Sequence, residues 1–268
     1  RDQPRSRGLG DVYKRQITIL AKNTAIQYNG VKLNIIDTPG HVDFSGEVER
    51  VVNMADGCLL LVDAVDGPMS QTRYVLNIAM QKGLQPIFVI NKIDRETERV
   101  GDIVNEIQDL LLETAVTADQ LDCPVLYASA RDGYAVRNLA DPRNDMSPLF
   151  DAILEYIPGP SGDAEGDLQL LVASLDYDNH LGQIAVGRIF RGSIEKGMSV
   201  AVIGQECQDL DSKIEYLFTF KDLNRTPVNQ ARTGDIIAVA GMAEVTIGDL
   251  SLIHISEPTR PRLISYAV

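Results

Sequence analysis

Apolar residues follow two different patterns along the chain. In the first part, continuous apolar runs alternate with segments in which apolar residues recur every three or four positions. The runs predict buried strands at residues 32–37, 58–63, 86–91 and 124–128. The periodic segments predict helices at residues 47–55, 70–82, 99–113 and 148–156. Because buried strands that alternate with helices form a doubly wound parallel sheet, we expect an α/β domain here.

Short strands alone are predicted beyond residue 167. They fall at residues 168–175, 183–191, 199–203, 213–217 and 236–240, with glycines between them. This spacing is typical of a small β-barrel. A Pro-Gly-Pro-Ser-Gly sequence followed by acidic residues predicts a linker at 159–167. We therefore expect two domains, one at 17–158 and one at 168–250.

The two ends of the chain lack a hydrophobic period. Residues 1–16 are basic, and residues 251–268 contain the run Ser-Glu-Pro-Thr-Arg-Pro-Arg. Both segments resemble translated cloning sequence, so we expect an N-terminal extension and a C-terminal tail that are not native.

Composition narrows the classes of function. The 268 residues carry a formal net charge of -13, which gives little attraction to a phosphate backbone. We therefore expect no DNA partner, and only local contact with any RNA. The three cysteines form no C-x-x-C spacing, which argues against a disulfide framework and a zinc site. No apolar stretch is long enough to span a membrane, so we expect a soluble, cytoplasmic protein.

A possible phosphate site follows the strand predicted at 32–37. The residues are Asp37, Thr38, Pro39, Gly40 and His41. Open α/β sheets bind ligands at the carboxyl ends of their strands. There an aspartate can hold a water of a Mg²⁺ shell, a glycine N–H can approach a terminal phosphate, and a histidine can orient an attacking water. The alternative is an ordinary turn from strand to helix.

A possible base site follows the strand predicted at 86–91. Asn91, Lys92 and Asp94 belong to an Asn-Lys-Ile-Asp sequence. The carboxylate of Asp94 can accept hydrogen bonds from N1–H and the N2 amine of guanine, a donor pair that adenine lacks. Lys92 can lay its aliphatic stem across the base, and Asn91 can tie neighbouring loops together. The alternative is a solvated helix start.

Two further candidates are weak when taken alone. Ser129 and Ala130 follow the strand at 124–128, where their backbone N–H groups could hold the guanine O6. Thr18 could supply an oxygen to Mg²⁺, although a β-branched residue in a strand is the simpler interpretation.

Together these motifs resemble the third, fourth and fifth signatures of the GTPases, and Thr18 resembles the switch I threonine. Residues 63–73, Asp-Ala-Val-Asp-Gly-Pro-Met-Ser-Gln-Thr-Arg, are most similar to the BipA/TypA family of ribosome-associated translational GTPases. Residues 168–202 resemble the β-barrel domain II of that family, and the resemblance runs from about residue 17 to 250. Elongation factor G and LepA share the Asp-Thr-Pro-Gly-His element and are the alternatives within the translational GTPases.

The resemblance implies a P-loop-GTPase-like sheet followed by a translation-factor barrel. It also implies GTP or GDP with Mg²⁺ as ligands, hydrolysis of GTP with His41 as the catalytic residue, and Thr18 and Asp37 near the metal. Ribosomal RNA and ribosomal proteins are the partners it implies.

One departure from the family pattern affects all of these expectations. The Gly-x-x-x-x-Gly-Lys-Ser/Thr loop, which cradles phosphates in the family, does not occur in the chain. The strand that feeds this loop would lie between the strands at 32–37 and 58–63. We therefore expect a truncated, destabilised fragment with weak or no activity, unless those two strands pair directly or residues 1–16 fill the gap.

Two other functions remain open on the sequence. The barrel could be a catalytically inert module that binds the ribosome or RNA. That hypothesis requires a basic cluster, and the candidates are scattered: Arg188, Arg191, Lys196, Lys213, Lys221, Arg225 and Arg232. A receiver-like domain with no nucleotide role is the other possibility, which three motifs on three strand ends disfavour.

Overall fold

The computed structural model describes residues 21–38, 45–95, 98–115, 117–203, 208–222, 224–242, 245–248 and 250–253. Within these residues the chain divides into two compact units. The first unit holds the described residues up to Ser161 together with Phe220–Asn224, and the second holds the rest from Gly162 onward. Each unit has its own hydrophobic core.

An antiparallel hairpin opens the described chain. Strand β1 (Lys22–Tyr28) pairs with strand β2 (Val31–Asp37) in regular register. Asn29 and Gly30 form the turn with φ angles of 49° and 79°. Two left-handed residues are what a type I′ turn requires, and Asn-Gly is the pair of residues that most favours such a turn.

A second sheet forms the centre of the first unit. It contains β3 (Gly57–Asp63), β4 (Gln85–Asn91), β5 (Val125–Ser129) and β6 (Tyr134–Val136) in that order. The first three strands are parallel, and the short β6 is antiparallel to β5. The helices are α1 (Ser45–Val52), α2 (Ser70–Gln81), α3 (Val100–Thr114) and α4 (Ser147–Tyr156), with a 3₁₀ turn at Ala118–Leu121. None of these described helices is long and apolar enough to cross a membrane.

Helices cover both faces of this sheet. Phe88 and Ile90 of β4 belong to one apolar cluster with residues of α2 and α3. Ile87 and Val89 of the same strand belong to another cluster, with Leu149 of α4. Successive residues of a strand point to opposite faces, so burial of all four requires layers on both sides. The expected doubly wound α/β fold is therefore confirmed.

The hairpin and the four-stranded sheet are separate sheets in the described chain. Strand β2 pairs with β1, and β3 pairs with β4, but no ladder joins β2 to β3 among these residues. Leu61 in the middle of β3 is 63% exposed, although its neighbours Leu60 and Val62 are buried. The expected gap between β2 and β3 stays a prediction, because residues 1–20 are not among the described residues. Its effect on stability stays a prediction.

The second unit is built from strands. The strands are β7 (Gln169–Asp178), β8 (Gly182–Arg191), β9 (Ser193–Glu195), β10 (Ser199–Ile203), β11 (Gln208–Lys213), β12 (Tyr216–Lys221), β13 (Asn224–Pro227), β14 (Gln230–Arg232), β15 (Ile236–Ala240) and β16 (Leu250–Ile253). The end of β12 and the first residue of β13 belong to the first unit. An eight-stranded sheet follows the order β11-β10-β16-β7-β8-β15-β12-β13, and β9 pairs with β14 in a small sheet. Leu170, Ile189, Ile237 and Leu217 are at most 1% exposed in its core. The expectation of a small β-rich domain is confirmed.

One predicted strand is wrong. Residues 213–217 span the junction between β11 and β12 instead of forming a single strand. Ile214 exchanges hydrogen bonds with the segment before β10: its N–H donates to Met198 O and its carbonyl accepts from Gly197 N–H. Glu215 N–H donates to Ala240 O at the end of β15. The backbone thus changes partner strand here, which an apolar pattern cannot show.

Candidate functional site

The last residues of three parallel strands lie at one edge of the central sheet. Asp63 ends β3, Asn91 ends β4 and Ser129 ends β5. Asp63 is directly opposite Asn91, and Asn91 is opposite Ala128. Carboxyl ends of parallel strands are where open α/β sheets bind ligands. The sheet therefore brings together all the residues that were predicted on the base side.

Asn91 joins the loops that follow β4 and β5. Its Oδ1 accepts a hydrogen bond from Lys92 N–H at 2.8 Å and another from Ala130 N–H at 3.0 Å. A single side-chain oxygen thus fixes the start of both loops. This geometry supports the role of Asn91 as a link between loops, which leaves other groups to contact a ligand.

Ser129 positions the carboxylate of Asp94. The Ser129 side chain is fully buried, and its Oγ lies 3.1 Å from Asp94 Oδ1 and 2.9 Å from Asp132 Oδ2. Its oxygen also accepts a hydrogen bond from Asp132 N–H at 3.2 Å. A hydroxyl has one hydrogen to donate, so it serves one of the two carboxylates at a time. Asp94 is itself exposed, with a second oxygen that these contacts do not use.

Both the backbone and the ammonium group of Lys92 are held in place. Its backbone has φ of 69°, which turns the chain sharply after β4, and its Nζ forms an ion pair with Asp63. Burial alone would raise the pKa of Asp63, but the hydrogen bonds from Lys92 and from Val65 N–H outweigh it and lower that pKa. The Lys92 stem is thereby held between the ends of β3 and β4, with the side chain 45% exposed.

The backbone of Ala130 has a partner within the protein. The residue is exposed, and its N–H donates to Asn91 Oδ1. A guanine O6 that accepted from this N–H would share it with Asn91. The predicted contact between Ala130 and the base therefore depends on a shared or exchanged hydrogen bond.

Much of the predicted phosphate side lies outside the described residues. Asp37 is the exposed last residue of β2, and the half-buried Thr38 follows it. Thr18, Pro39, Gly40 and His41 are not among the described residues. In the described ranges, no group of three or more His, Cys, Asp or Glu side chains is placed to hold a metal ion. The predicted Mg²⁺ site at Thr18 and Asp37 stays a prediction.

Two aspartates at this edge were not predicted from the sequence. Asp63 pairs with Lys92, and Asp132 shares the hydroxyl of Ser129. Asp63 could have been found, because it ends an apolar strand next to the one that carries Asn91. Asp132 could not have been found in this way, because its contact with the Ser129 hydroxyl depends on the turn from Ser129 to Gly133.

Three of the basic residues that were candidates for an RNA-binding cluster are buried or paired with an acidic residue. Arg188 is only 5% exposed and lies 5.2 Å from the centre of the Phe190 ring. Arg191 pairs with Asp163, and Arg225 pairs with Asp176. Neutralised or buried arginines add little attraction for a polyanion. These three arginines therefore add little to a basic face on this unit.

Two family models match the chain. Residues 11–159 match the elongation factor Tu GTP binding domain, and residues 182–250 match elongation factor Tu domain 2. The first match covers more than half of the chain and lies in the first unit, and the second match lies mostly in the second unit.

Curated relatives are similar over most of the chain. Proteins named large ribosomal subunit assembly factor BipA are 45% identical in Synechocystis sp., 44% in Salmonella typhimurium and 41% in Bacillus subtilis. Each alignment covers 92% of this chain, but only 42–43% of the relative. The chain therefore spans about two fifths of the length of the curated relatives it matches.

Solved structures share the fold at low sequence identity. The bacterial selenocysteine-specific elongation factor EF-Sec has a TM-score of 0.71 and 22% identity, over 92% of this chain and 40% of its own. Elongation factor SelB from Methanococcus maripaludis has a TM-score of 0.70 and 21% identity, over 88% of this chain and 49% of its own.

Proposed function

Since the chain belongs to the BipA/TypA family of translational GTPases, we propose that it binds guanine nucleotides where β3, β4 and β5 end and that it acts in GTP hydrolysis. The observation that carries the proposal is the exposed carboxylate of Asp94, held by the buried hydroxyl of Ser129. A carboxylate fixed in this way is oriented before a ligand arrives. Less conformational freedom is then lost on binding.

Guanine selectivity follows from the groups around Asp94. The carboxylate can accept from both N1–H and the N2 amine of guanine, whereas adenine offers no such pair. A carboxylate that a bound base covers without donating to it loses its hydrogen bonds to water, which costs free energy, so the wrong base is rejected. The ion pair with Asp63 fixes the ammonium group of Lys92, and its aliphatic stem would lie along one face of the base.

The phosphate side is proposed from the family pattern. Thr18 and Asp37 would hold Mg²⁺, the latter through a water, and Thr38, Pro39 and Gly40 would approach the terminal phosphate. His41 would orient the attacking water. Bound Mg²⁺ would neutralise charge on the phosphates.

Because the curated relatives are named for assembly of the large ribosomal subunit, we include ribosomal RNA and ribosomal proteins as partners, and the cytoplasm as location.

Calorimetric titration tests the base site. We expect the chain to bind GDP and GTP but not ATP in Mg²⁺ buffer. Asp94→Asn should shift the preference towards xanthosine nucleotides, because the amide can donate to the extra oxygen of xanthine. Asp109→Asn, a change on the exposed side of α3, serves as the matched control and should keep guanine selectivity.

The outcomes separate the parts of the proposal. Guanine-selective binding without hydrolysis of GTP would support the proposed base site and would refute the proposal that these residues alone catalyse hydrolysis. Equal binding of GTP and ATP, or an Asp94→Asn variant that still prefers guanine, would reject the base site.

A further inference from the structure

Two carboxylates compete for one hydrogen where β5 ends. The Oγ of Ser129 lies 3.1 Å from Asp94 Oδ1 and 2.9 Å from Asp132 Oδ2. A hydroxyl has a single hydrogen to donate, and an ionised carboxylate can only accept. The hydrogen therefore points to Asp94 or to Asp132, and the two contacts are alternatives.

The surroundings of the hydroxyl make Asp132 an effective competitor. Ser129 has no exposed surface, so its hydrogen has to find an acceptor within the protein. The N–H of Asp132 donates to Ser129 Oγ at 3.2 Å, which keeps the hydroxyl beside Asp132. Both carboxylates belong to exposed residues, so water can solvate whichever one lacks the hydrogen. Neither arrangement leaves a buried group without a partner.

This competition divides the proposed base site into two states. Asp94 is fixed in orientation while it accepts the hydroxyl hydrogen, and it is freer to turn while Asp132 accepts it. A ligand that prefers one state binds more weakly in proportion to the fraction of molecules in that state. Equal sharing of the hydrogen would reduce the affinity for a base to about half of its value in the fixed state.

We propose that Asp132 is a positioning residue that lowers the affinity of the site for guanine nucleotides, because it withdraws the Ser129 hydrogen from Asp94. The inference rests on the proposed function, since Asp94 has to contact the base. Asp132 acts through Ser129 and needs no contact with the nucleotide. Its removal should therefore strengthen binding, whereas loss of a residue with only a structural role would weaken it.

Calorimetric titration with GDP tests the role of Asp132. Asp132→Ala removes the competing carboxylate and keeps the backbone N–H that holds Ser129 Oγ. We expect the affinity for GDP to rise about two- to fivefold, because the hydrogen is then always available to Asp94. Asp132→Asn should raise the affinity less, since its amide oxygen still accepts. It also serves as the test if Asp132→Ala does not fold.

Asp122→Asn is the matched control for the loss of one negative charge. Asp122 is exposed and precedes β5, whereas Ser129 is the last residue of that strand. The variant has the same change of charge as Asp132→Asn, but at the other end of β5. It should bind GDP like the wild type.

A double-mutant cycle separates competition for the hydrogen from a direct effect of charge on the nucleotide. In a Ser129→Ala background there is no hydroxyl to compete for, so the further change Asp132→Ala should leave the affinity for GDP unchanged. A gain in affinity that persists in this background would show that Asp132 acts through its charge alone. That result would overturn the inference.

The remaining outcomes distinguish this inference from the proposed function. Wild-type protein that binds GDP selectively, with Asp132 variants that bind it equally or more weakly, would overturn the inference and leave the base site intact. An equal gain in Asp122→Asn would do the same. If neither the wild type nor the Asp132 variants bind guanine nucleotides selectively, the proposed function and the inference are both overturned.

Discussion

Ser129 has no exposed surface, and its single hydroxyl lies between the carboxylates of Asp94 and Asp132. A larger residue would not fit there, and a residue without a hydroxyl would leave both carboxylates without that donor. The orientation of Asp94 therefore depends on one buried hydroxyl group.

Ser129→Ala tests this dependence. We expect guanine-nucleotide affinity to fall by about tenfold, because a hydrogen bond to a charged group contributes about 1.5–3 kcal/mol and water replaces part of it. The folded state should also lose some stability, since Asp132 N–H loses its acceptor. Calorimetry with GDP measures the first effect, and urea unfolding measures the second. An unchanged affinity would mean that Asp94 is oriented by other contacts.

The Lys92–Asp63 ion pair predicts a pH dependence. The folded-state pKa of Asp63 is lowered, so the pair stabilises the folded state above the unfolded pKa of about 4. That contribution is lost as pH falls through the folded pKa. Lys92→Met should therefore lower the free energy of unfolding at pH 7 by less than about 1 kcal/mol, since Lys92 is half exposed. The difference from wild type should vanish in acid.

Urea unfolding at a series of pH values, without nucleotide, measures this difference. Lys213→Met, at an exposed lysine of the second unit, is the matched control and should show no such pH dependence. A Lys92→Met deficit that persisted at low pH would indicate lost packing rather than a lost ion pair.

At the scale of elements, β7 and β8 come unusually close at Gly187. Val172 is opposite Gly187, and the register shifts between Val172 and Ser174. A Cβ on Gly187 would overlap the carbonyl oxygen of Leu171, which is backbone and cannot rotate away. Glycine is needed here for close approach of two strands.

Gly187→Ala should therefore destabilise the second unit by about 1–3 kcal/mol, the usual range for overpacking. Gly101→Ala is the opposite case, because a Cβ there would meet open space within α3. That change should raise stability by up to about 1 kcal/mol, as alanine favours helix over glycine. The melting temperatures of the two variants, measured by thermal unfolding, test both predictions. Equal shifts in one direction would contradict the prediction.

Long periodic elements could be predicted from the sequence. The helix predicted at 70–82 is Ser70–Gln81, because its period is strong and Gly83, with φ of 71°, ends it. The strand β6 was missed, since three residues carry too little pattern. The predicted strand at 213–217 was wrong because the backbone changes partner at Ile214.

The candidate site was predictable only in part. Asn91, Asp94 and Ser129 could be named from strand ends, which sequence patterns locate. The ion pair of Lys92 with Asp63 depends on the register of β3 and β4. The sharing of Ser129 by two carboxylates depends on a turn geometry. Neither follows from residue type and spacing alone.

At the scale of the whole molecule, two separate cores predict two unfolding steps. The first unit buries its apolar residues around β4, and the second around β7, β8 and β15. Units with independent cores often unfold separately. We expect two calorimetric transitions, of which GDP raises only the one that belongs to the first unit, because a ligand stabilises the state that it binds.

Gly187→Ala assigns the transitions, since it should lower only the one that GDP leaves unchanged. A single transition, with equal calorimetric and van't Hoff enthalpies, would show that the two units unfold together.

The link that Asn91 makes between two loops has a consequence for engineering. Asn91 links the loops through its acceptor oxygen, and Ser129 holds Asp94 through a hydrogen that an amide oxygen could accept equally well. The contacts that hold the proposed base site in place therefore do not depend on whether residue 94 is an aspartate or an asparagine. One exchange at Asp94 could give an orthogonal protein that ignores cellular GTP and responds only to an added xanthosine nucleotide, so its activity could be controlled among unmodified relatives.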